Sequence, residues 1–230
     1  MEPNEFELGK VLLFDKPYRW TSFDVVRKVR NAIRVRKTGH AGTLDPLATG
    51  LLILCTGKFT KQIDTYQAQE KEYTGIIRLG STTPSSDLET GINQTFDTSG
   101  ITTDMIMNAT RQFTGSIMQS PPLHSAVSIG GERAYEKARR GETMVVPPKN
   151  VVIHEFVITN ISMPDVSFKV VCSKGTYIRS LASDFGKALG NGAHLASLCR
   201  TRIGEFRLED AYSVEEFIND LKKPDLSREV

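Results

Sequence analysis

No stretch of this chain approaches the roughly twenty apolar residues that a membrane-spanning helix needs. Its longest apolar runs, Val11–Phe14 and Leu51–Cys55, have the length of strands. The first residues, Met1-Glu2-Pro3-Asn4-Glu5, are acidic and lack the basic-then-apolar pattern of a secretory leader. Cysteine is scarce. Cys55, Cys172 and Cys199 are odd in number, far apart and set in apolar stretches, which argues against a disulfide framework and for small buried side chains in a reducing compartment. The four histidines, His40, His124, His154 and His194, have no metal-ligand spacing with one another or with cysteine. A phosphate loop is missing as well. Thr56-Gly57-Lys58 invites that reading, but the glycine required five residues before the Gly-Lys pair is Leu52, and the required hydroxyl after it is Phe59. Together these absences predict a cytoplasmic protein that uses neither zinc nor a nucleotide triphosphate.

What is present suits one globular domain over residues 1–230: 39% of the residues are hydrophobic and 24% charged. The net charge of +2 conceals an uneven distribution. Arg27, Lys28, Arg30, Arg34, Arg36 and Lys37 fall in one short stretch without an acid, whereas residues 205–230 carry an acidic excess. Such asymmetry points to a basic face for a polyanion, although a solvated helix face reads the same way. The pattern of elements is α+β. Val11–Phe14 and Leu51–Cys55 read as buried strands, and Tyr73–Leu79 as a third. Thr21-Ser22-Phe23-Asp24 resembles a capping box ahead of a helix with Val25, Val26, Val29, Ala32 and Ile33 on its inner face. Met105, Ile106, Ala109 and Phe113 mark another helix. Val151–Ile161 and Val166–Cys172 read as paired strands, Tyr177–Leu189 as a helix, Leu195–Phe206 as a strand, and Ser213-x-x-Glu216 as the start of a last helix. Two long loops complete the reading: residues 80–100, rich in Ser, Thr and Gly, and a mobile functional loop over about 115–150.

Two segments can carry chemistry. In Gly39–Gly50, three glycines allow close backbone approach to a ligand, and Pro46 holds Asp45 away from helical geometry, so that its carboxylate is presented from a turn. His40 adds a polar ring, with Arg36 and Lys37 just before it. The plain alternative is an ordinary turn in which Asp45 caps the backbone. In Cys172–Ser180 the expected strand-to-helix junction places Arg179 in a first helical turn, where it either reaches a carboxylate from another segment or stands exposed beside a cap. Tyr73, at the start of a strand, is a core or rim aromatic or else a catalytic one.

In combination, Leu13-Phe14-Asp15-Lys16-Pro17, Gly39–Gly50, Lys71-Glu72-Tyr73 and Cys172–Arg179 followed by Gly192-Ala193-His194 resemble the bacterial tRNA pseudouridine synthase B family. The resemblance runs from Gly9 to about Phe206. It implies a mixed α/β catalytic domain with a central, mainly antiparallel sheet, flanking helices and a mobile RNA-binding loop. It also implies isomerisation of the T-loop uridine at tRNA position 55, with no metal or organic cofactor. Asp45 would be the catalytic carboxylate and Arg179 its ion-pair partner. Tyr73 would stack on the flipped base and take part in proton abstraction, Tyr177 and Leu198 would line the uracil pocket, and His40 would help fill the gap left by the extruded nucleotide. Lys16, Arg34, Arg36, Lys37 and Lys174 are the expected RNA-positioning cations. The chain departs from the family pattern in three ways. It ends too soon for the PUA-type domain that many members carry. It keeps Asp87 in Thr83-Pro84-Ser85-Ser86-Asp87 but lacks the preceding acid. And it has His124, Ser128 and Glu132 in the mobile loop where an aromatic and two lysines are common, with Arg133, Lys137, Arg139 and Arg140 still nearby.

The resulting expectation is a monomeric tRNA isomerase that meets the T-loop and T-stem and needs no obligate protein partner. A second reading is a module that binds and remodels tRNA without chemistry. A small-molecule glycoside hydrolase would need two cooperating carboxylates, and only Asp45 lies in a suitable motif.

Overall fold

A computed structural model describes residues 4–122 and 147–222, together with the backbone of residues 128–129 and 132–133. The elements used below are, in chain order, β1 (Val11–Lys16), α1 (Ser22–Ile33), β2 (Thr38–Ala41), β3 (Thr49–Thr56), β4 (Lys71–Leu79), β5 (Gly115–Gln119), β6 (Lys149–Ser162), β7 (Asp165–Cys172), α2 (Ile178–Ala188), β8 (Ala193–Ile203), β9 (Tyr212–Ser213) and α3 (Val214–Asp220). They gather into two compact units: residues 1–69 with 199–230, and residues 70–198.

In the first unit β3 is the central strand. Its Leu51–Cys55 run is wholly buried, and the period of two sends alternate residues to opposite faces. Leu52 and Leu54 join Phe14, Phe217, Val214 and the α1 residues Val25, Val26, Val29 and Ile33. Leu51, Ile53 and Cys55 meet Ala41 and Ile203 on the other face. A continuous apolar run in one strand is thus explained by burial on both sides. β1 and β2 pair antiparallel with β3, in the registers Phe14↔Leu52 and His40↔Leu54. β9 lies parallel to β1, and the end of β8 lies parallel to β3 through Cys199↔Thr49 and Arg200↔Gly50. The Phe217 ring stands edge-on to Phe14, with centroids 5.1 Å apart.

The expected capping box on α1 is formed: Thr21 Oγ accepts from the Asp24 amide, and the Asp24 carboxylate accepts from the Thr21 amide. Ser213 and Glu216 cap α3 in the same way. The glycine-rich stretch begins later than its composition suggests. Thr38–Ala41 is strand, so the loop proper is residues 42–48.

In the second unit β4, β7, β6 and β5 form an antiparallel sheet in that spatial order, and residues 193–198 of β8 flank β4. Helix α2 buries Ile178, Leu181, Ala182 and Phe185; the Phe185 ring packs on Phe156, 5.4 Å between centroids. The mixed α/β class with mainly antiparallel sheets and flanking helices is the one the sequence implies. Two boundaries differ. Gly115–Gln119 and residues 149–150, read as loop, pair as strands. The 80–100 segment is not an empty loop: Ser81–Thr82 pairs with Gln94–Thr95, and Ser81, Thr83, Ser85 and Asp87 are buried. His124, Lys137, Arg139 and Arg140, and the side chains of Ser128, Glu132 and Arg133, lie outside the described residues.

Gly50 shows how the first unit constrains its sequence. Its φ of +100° lies in the left-handed region, and a Cβ there would collide with the backbone oxygen and nitrogen of Arg200. Gly190 has a φ of +64° with open space around it. Gly190→Ala should cost about 1–2 kcal/mol from conformation alone. Gly50→Ala adds a clash between backbones and should cost about 3–5 kcal/mol. Urea unfolding of the two variants checks the difference; equal losses would refute the close approach.

Candidate active site

Asp45 is half-buried in the 42–48 loop. The loop owes its shape to three buried polar side chains whose hydrogen bonds go to backbone groups. Ser22, the first residue of α1, donates from Oγ to the Leu44 carbonyl at 3.2 Å and accepts from the Leu44 amide at 2.9 Å. On the other flank, Lys16 Nζ donates to the Pro46 carbonyl at 3.3 Å, to Trp20 O at 2.6 Å and to Pro17 O at 3.2 Å. The Arg19 amide adds a second bond to Pro46 O at 2.8 Å. Arg200 closes the base of the loop: Nη2 donates to Gly42 O at 3.0 Å and Nε to Leu51 O at 2.8 Å. The residues before and after Asp45 are therefore fixed, and the Ala48 amide bonds the Asp45 carbonyl at 3.1 Å. Such anchoring delivers a carboxylate with little reorganisation left to the reaction.

Lys16 was expected to hold RNA phosphates. The structure corrects this, since the side chain is 0% exposed and its ammonium is used on three carbonyls. The sequence carried a signal for it: Lys16 lies two residues beyond buried Phe14, on the same face of β1. Burial lowers the Lys16 ammonium from its ordinary 10.5 to about 8; Asp45 opposes the shift and Arg200 adds to it. Arg200 was not anticipated. Its guanidinium also reinforces what burial does to His40, whose imidazole is pushed below its ordinary value and is neutral at pH 7. The Nδ1 of His40 is buried without a hydrogen-bond partner among the described residues.

Arg34, Arg36 and Lys37 are exposed. Arg34 and Arg36, with Arg30 and Asn31, line an open cleft of about 630 Å³.

The second unit holds the other predicted residues. Tyr73 is buried on β4 and Leu198 half-buried on β8. Tyr177 precedes α2, and its backbone is clasped by buried Gln119: the Tyr177 amide donates to Oε1 at 2.7 Å, and Nε2 donates to Tyr177 O at 3.0 Å. Arg179 is not the exposed cap residue that one reading allowed. It is buried, with Nε 3.7 Å from the Asp87 carboxylate and Nη1 donating to Ser85 O at 3.3 Å. Asp87 in turn receives the Glu89 amide at 2.9 Å, and its carbonyl accepts from Thr83 Oγ at 2.6 Å. Asp87, the acid kept in Thr83-Pro84-Ser85-Ser86-Asp87, thus lies against Arg179, a pairing no local pattern signals. Lys174 is exposed in the turn before α2.

Residues 30–178 match the N-terminal domain of the TruB family pseudouridylate synthases, and residues 179–227 match the C-terminal domain of tRNA pseudouridylate synthase B. The chain belongs to the TruB pseudouridylate synthase family. It is 51% identical to tRNA pseudouridine synthase B of Flavobacterium johnsoniae, over 96% of this chain and 100% of that one. Identity to the enzyme of the same name from Phocaeicola vulgatus is 50%, over 92% and 93% of the two chains. Among solved structures, a chain of a Cbf5-Nop10-Gar1 complex superposes with a TM-score of 0.74 at 30% identity; the match covers 95% of this chain and 56% of the other. Against this TruB-family background the anchored Asp45 loop is the feature of the first unit best suited to chemistry.

Lys16 supplies a test of that anchoring. Its pKa is lower in the folded chain than in the unfolded one, so between pH 8 and 10.5 the unfolded chain binds more protons and this group's contribution to stability rises with pH. The stability of wild type relative to Lys16→Met should therefore increase from pH 8 to pH 10, as read by urea unfolding at both values. A difference that stays flat would show that Lys16 titrates normally.

Proposed function

We propose that this chain isomerises uridine 55 in the T-loop of tRNA to pseudouridine, with Asp45 as the reactive carboxylate. The observation that supports this most directly is the Asp45 loop, fixed on both flanks by buried donors, in a chain half identical to tRNA pseudouridine synthase B. The reaction breaks the C1′–N1 bond, turns the uracil and joins C5 to C1′; C5 loses a proton and N1 gains one. A carboxylate serves each route to that exchange: attack at C1′, attack at C6, or assistance at the C2′ proton. An aspartate with an unperturbed pKa of about 3.9 is ionised at neutral pH, so placement matters more than activation.

The target base leaves its stack at a cost of a few kcal/mol. Stacking on Tyr73, worth roughly 1–3 kcal/mol per base, is of the size needed to offset that, with Tyr177 and Leu198 bounding the uracil. Neutral His40 takes the place of the departed nucleotide, where a charged imidazole would be costly to bury. Arg179, which the family resemblance names as the cationic partner of the carboxylate, is itself ordered by Asp87 and Ser85. Arg34, Arg36, Lys37 and Lys174 take phosphates, which position the RNA without reading its sequence.

The deciding experiment uses an unmodified tRNA transcript, carbodiimide labelling and primer extension. Wild type should give a stop at the T-loop uridine. Asp45→Asn should bind the transcript with salt-sensitive affinity and lose activity by about 10³-fold or more. An Asp45→Asn protein with near wild-type turnover would refute the assignment. Tight binding with no stop for either protein would favour a tRNA-remodelling module.

A further inference from the structure

The Pro17–Trp20 turn is poorly suited to its own sequence. The Trp20 amide bonds the Pro17 carbonyl at 3.3 Å, which makes Arg19 the third residue of a β-turn. Its φ is +67°, the left-handed value that such a position normally meets with glycine or asparagine. The surroundings hold it there. Lys16 Nζ grips the carbonyls of Pro17 and Trp20, and the Arg19 amide bonds Pro46 O. Strained residues kept in place by their surroundings concentrate at functional sites.

The Arg19 side chain does nothing for the fold. Among the described residues it makes no hydrogen bond or ion pair; its guanidinium lies over the ring of Tyr18, 5.5 Å from the centroid. Tyr18 is itself 51% exposed. The pair thus presents an aromatic face and an unused hydrogen-bonding fork to solvent, one hydrogen bond from the residue that follows Asp45. Beside it opens a cleft of about 420 Å³ lined by Arg19, Trp20, Asp24, Arg27, Lys28 and Asn31. Its one acid is already paired with Arg27 at 2.8 Å, which leaves Arg19 and Lys28 as the uncompensated charges.

We propose that the Tyr18–Arg19 turn and this cleft form a nucleotide subsite for the substrate RNA, in which Arg19 and Lys28 take a backbone phosphate and Tyr18 stacks a base adjoining the target uridine. The inference rests on the reading of the chain as an RNA uridine isomerase and extends it to residues outside that assignment. A guanidinium already stacked on an aromatic ring keeps its in-plane N–H groups free for a bidentate phosphate contact, which a lysine ammonium does not reproduce. The cavity volume lies in the range of sites that hold a small organic group.

Arg19→Gly isolates the role, because glycine relieves the backbone strain while removing the side chain. Its melting temperature should equal or exceed that of wild type. KM for an unmodified tRNA transcript should rise about 5- to 20-fold with kcat within about twofold, and the plot of log Kd against log salt should lose about one unit of slope. Arg19→Lys should restore the slope but only part of the KM, and Tyr18→Ala should raise KM without changing the slope. Wild-type KM and slope in Arg19→Gly would overturn the subsite. A fall in kcat at constant KM would also overturn it, since the turn would then act through Pro46 on Asp45. Failure of the parent reading is separate and visible first, as a wild type that neither binds nor modifies the transcript.

Discussion

The rest of the first unit is organised around one buried cation. Lys16 carries its charge to a place without solvent and there meets three carbonyl oxygens, from Pro17, Trp20 and Pro46. Burying an ammonium is expensive, and hydrogen bonds to main-chain carbonyls compensate for only part of the loss. That the charge is held under strain shows in its pKa, drawn down to about 8 although Asp45 pulls the other way. What the arrangement gains is a junction. A single side chain at the end of β1 fixes the next turn and the far flank of the 42–48 loop, so the geometry of a strand in the core is passed directly to the segment that carries Asp45.

Ser22 and Arg200 extend the same logic from two other directions, one from the start of α1 and one from the end of β8. Each uses its donors on main-chain carbonyls in or beside the loop that carries Asp45. The sheet makes this feasible. Because β3 is buried on both faces, its neighbours are fixed by packing, and Arg200 can sit against Leu51 O and Gly42 O only because Gly50 lets the two backbones come so close. The arginine then has an electrostatic effect beyond its hydrogen bonds. It depresses both Lys16 and His40, which favours a neutral imidazole while Lys16, at about 8, still carries its proton at pH 7.

Legibility in the sequence followed locality. The capping boxes, the inner face of α1, the β3 run and the β6–β7 pair could be read because each is decided by a few neighbouring residues and one periodicity. The motif carrying Asp45 was legible for the same reason. Lys16 was misread because lysine is mostly a surface residue, and only its register with Phe14 betrayed a buried position. Arg200 and Ser22 were missed because their partners are 149 and 22 residues away in the chain. No local pattern encodes such pairs. The 80–100 segment, poor in apolar residues, looked structureless, yet its hydroxyls and Asp87 form a polar core around Arg179, which composition alone could not foretell.

The two units arrive at the same solution with different chemistry. In the second, Gln119 clasps the backbone of Tyr177 on both sides, and Asp87 with Ser85 orders the guanidinium of Arg179. In the first, an ammonium, a hydroxyl and a guanidinium do this for the residues around Asp45. In both units a buried polar side chain bonds main chain next to a candidate functional residue, at Leu44 and Pro46 beside Asp45 and at Tyr177 itself, and so settles that residue's position. For the flipped-base chemistry proposed above, this has a consequence. Extrusion is already uphill by a few kcal/mol, and aromatic stacking is only large enough to cancel it. Groups already ordered during folding draw nothing further from the binding of the RNA. In this chain the buried donors of Lys16, Ser22 and Arg200 are spent on the loop that carries Asp45, which fixes the residues on either side of it.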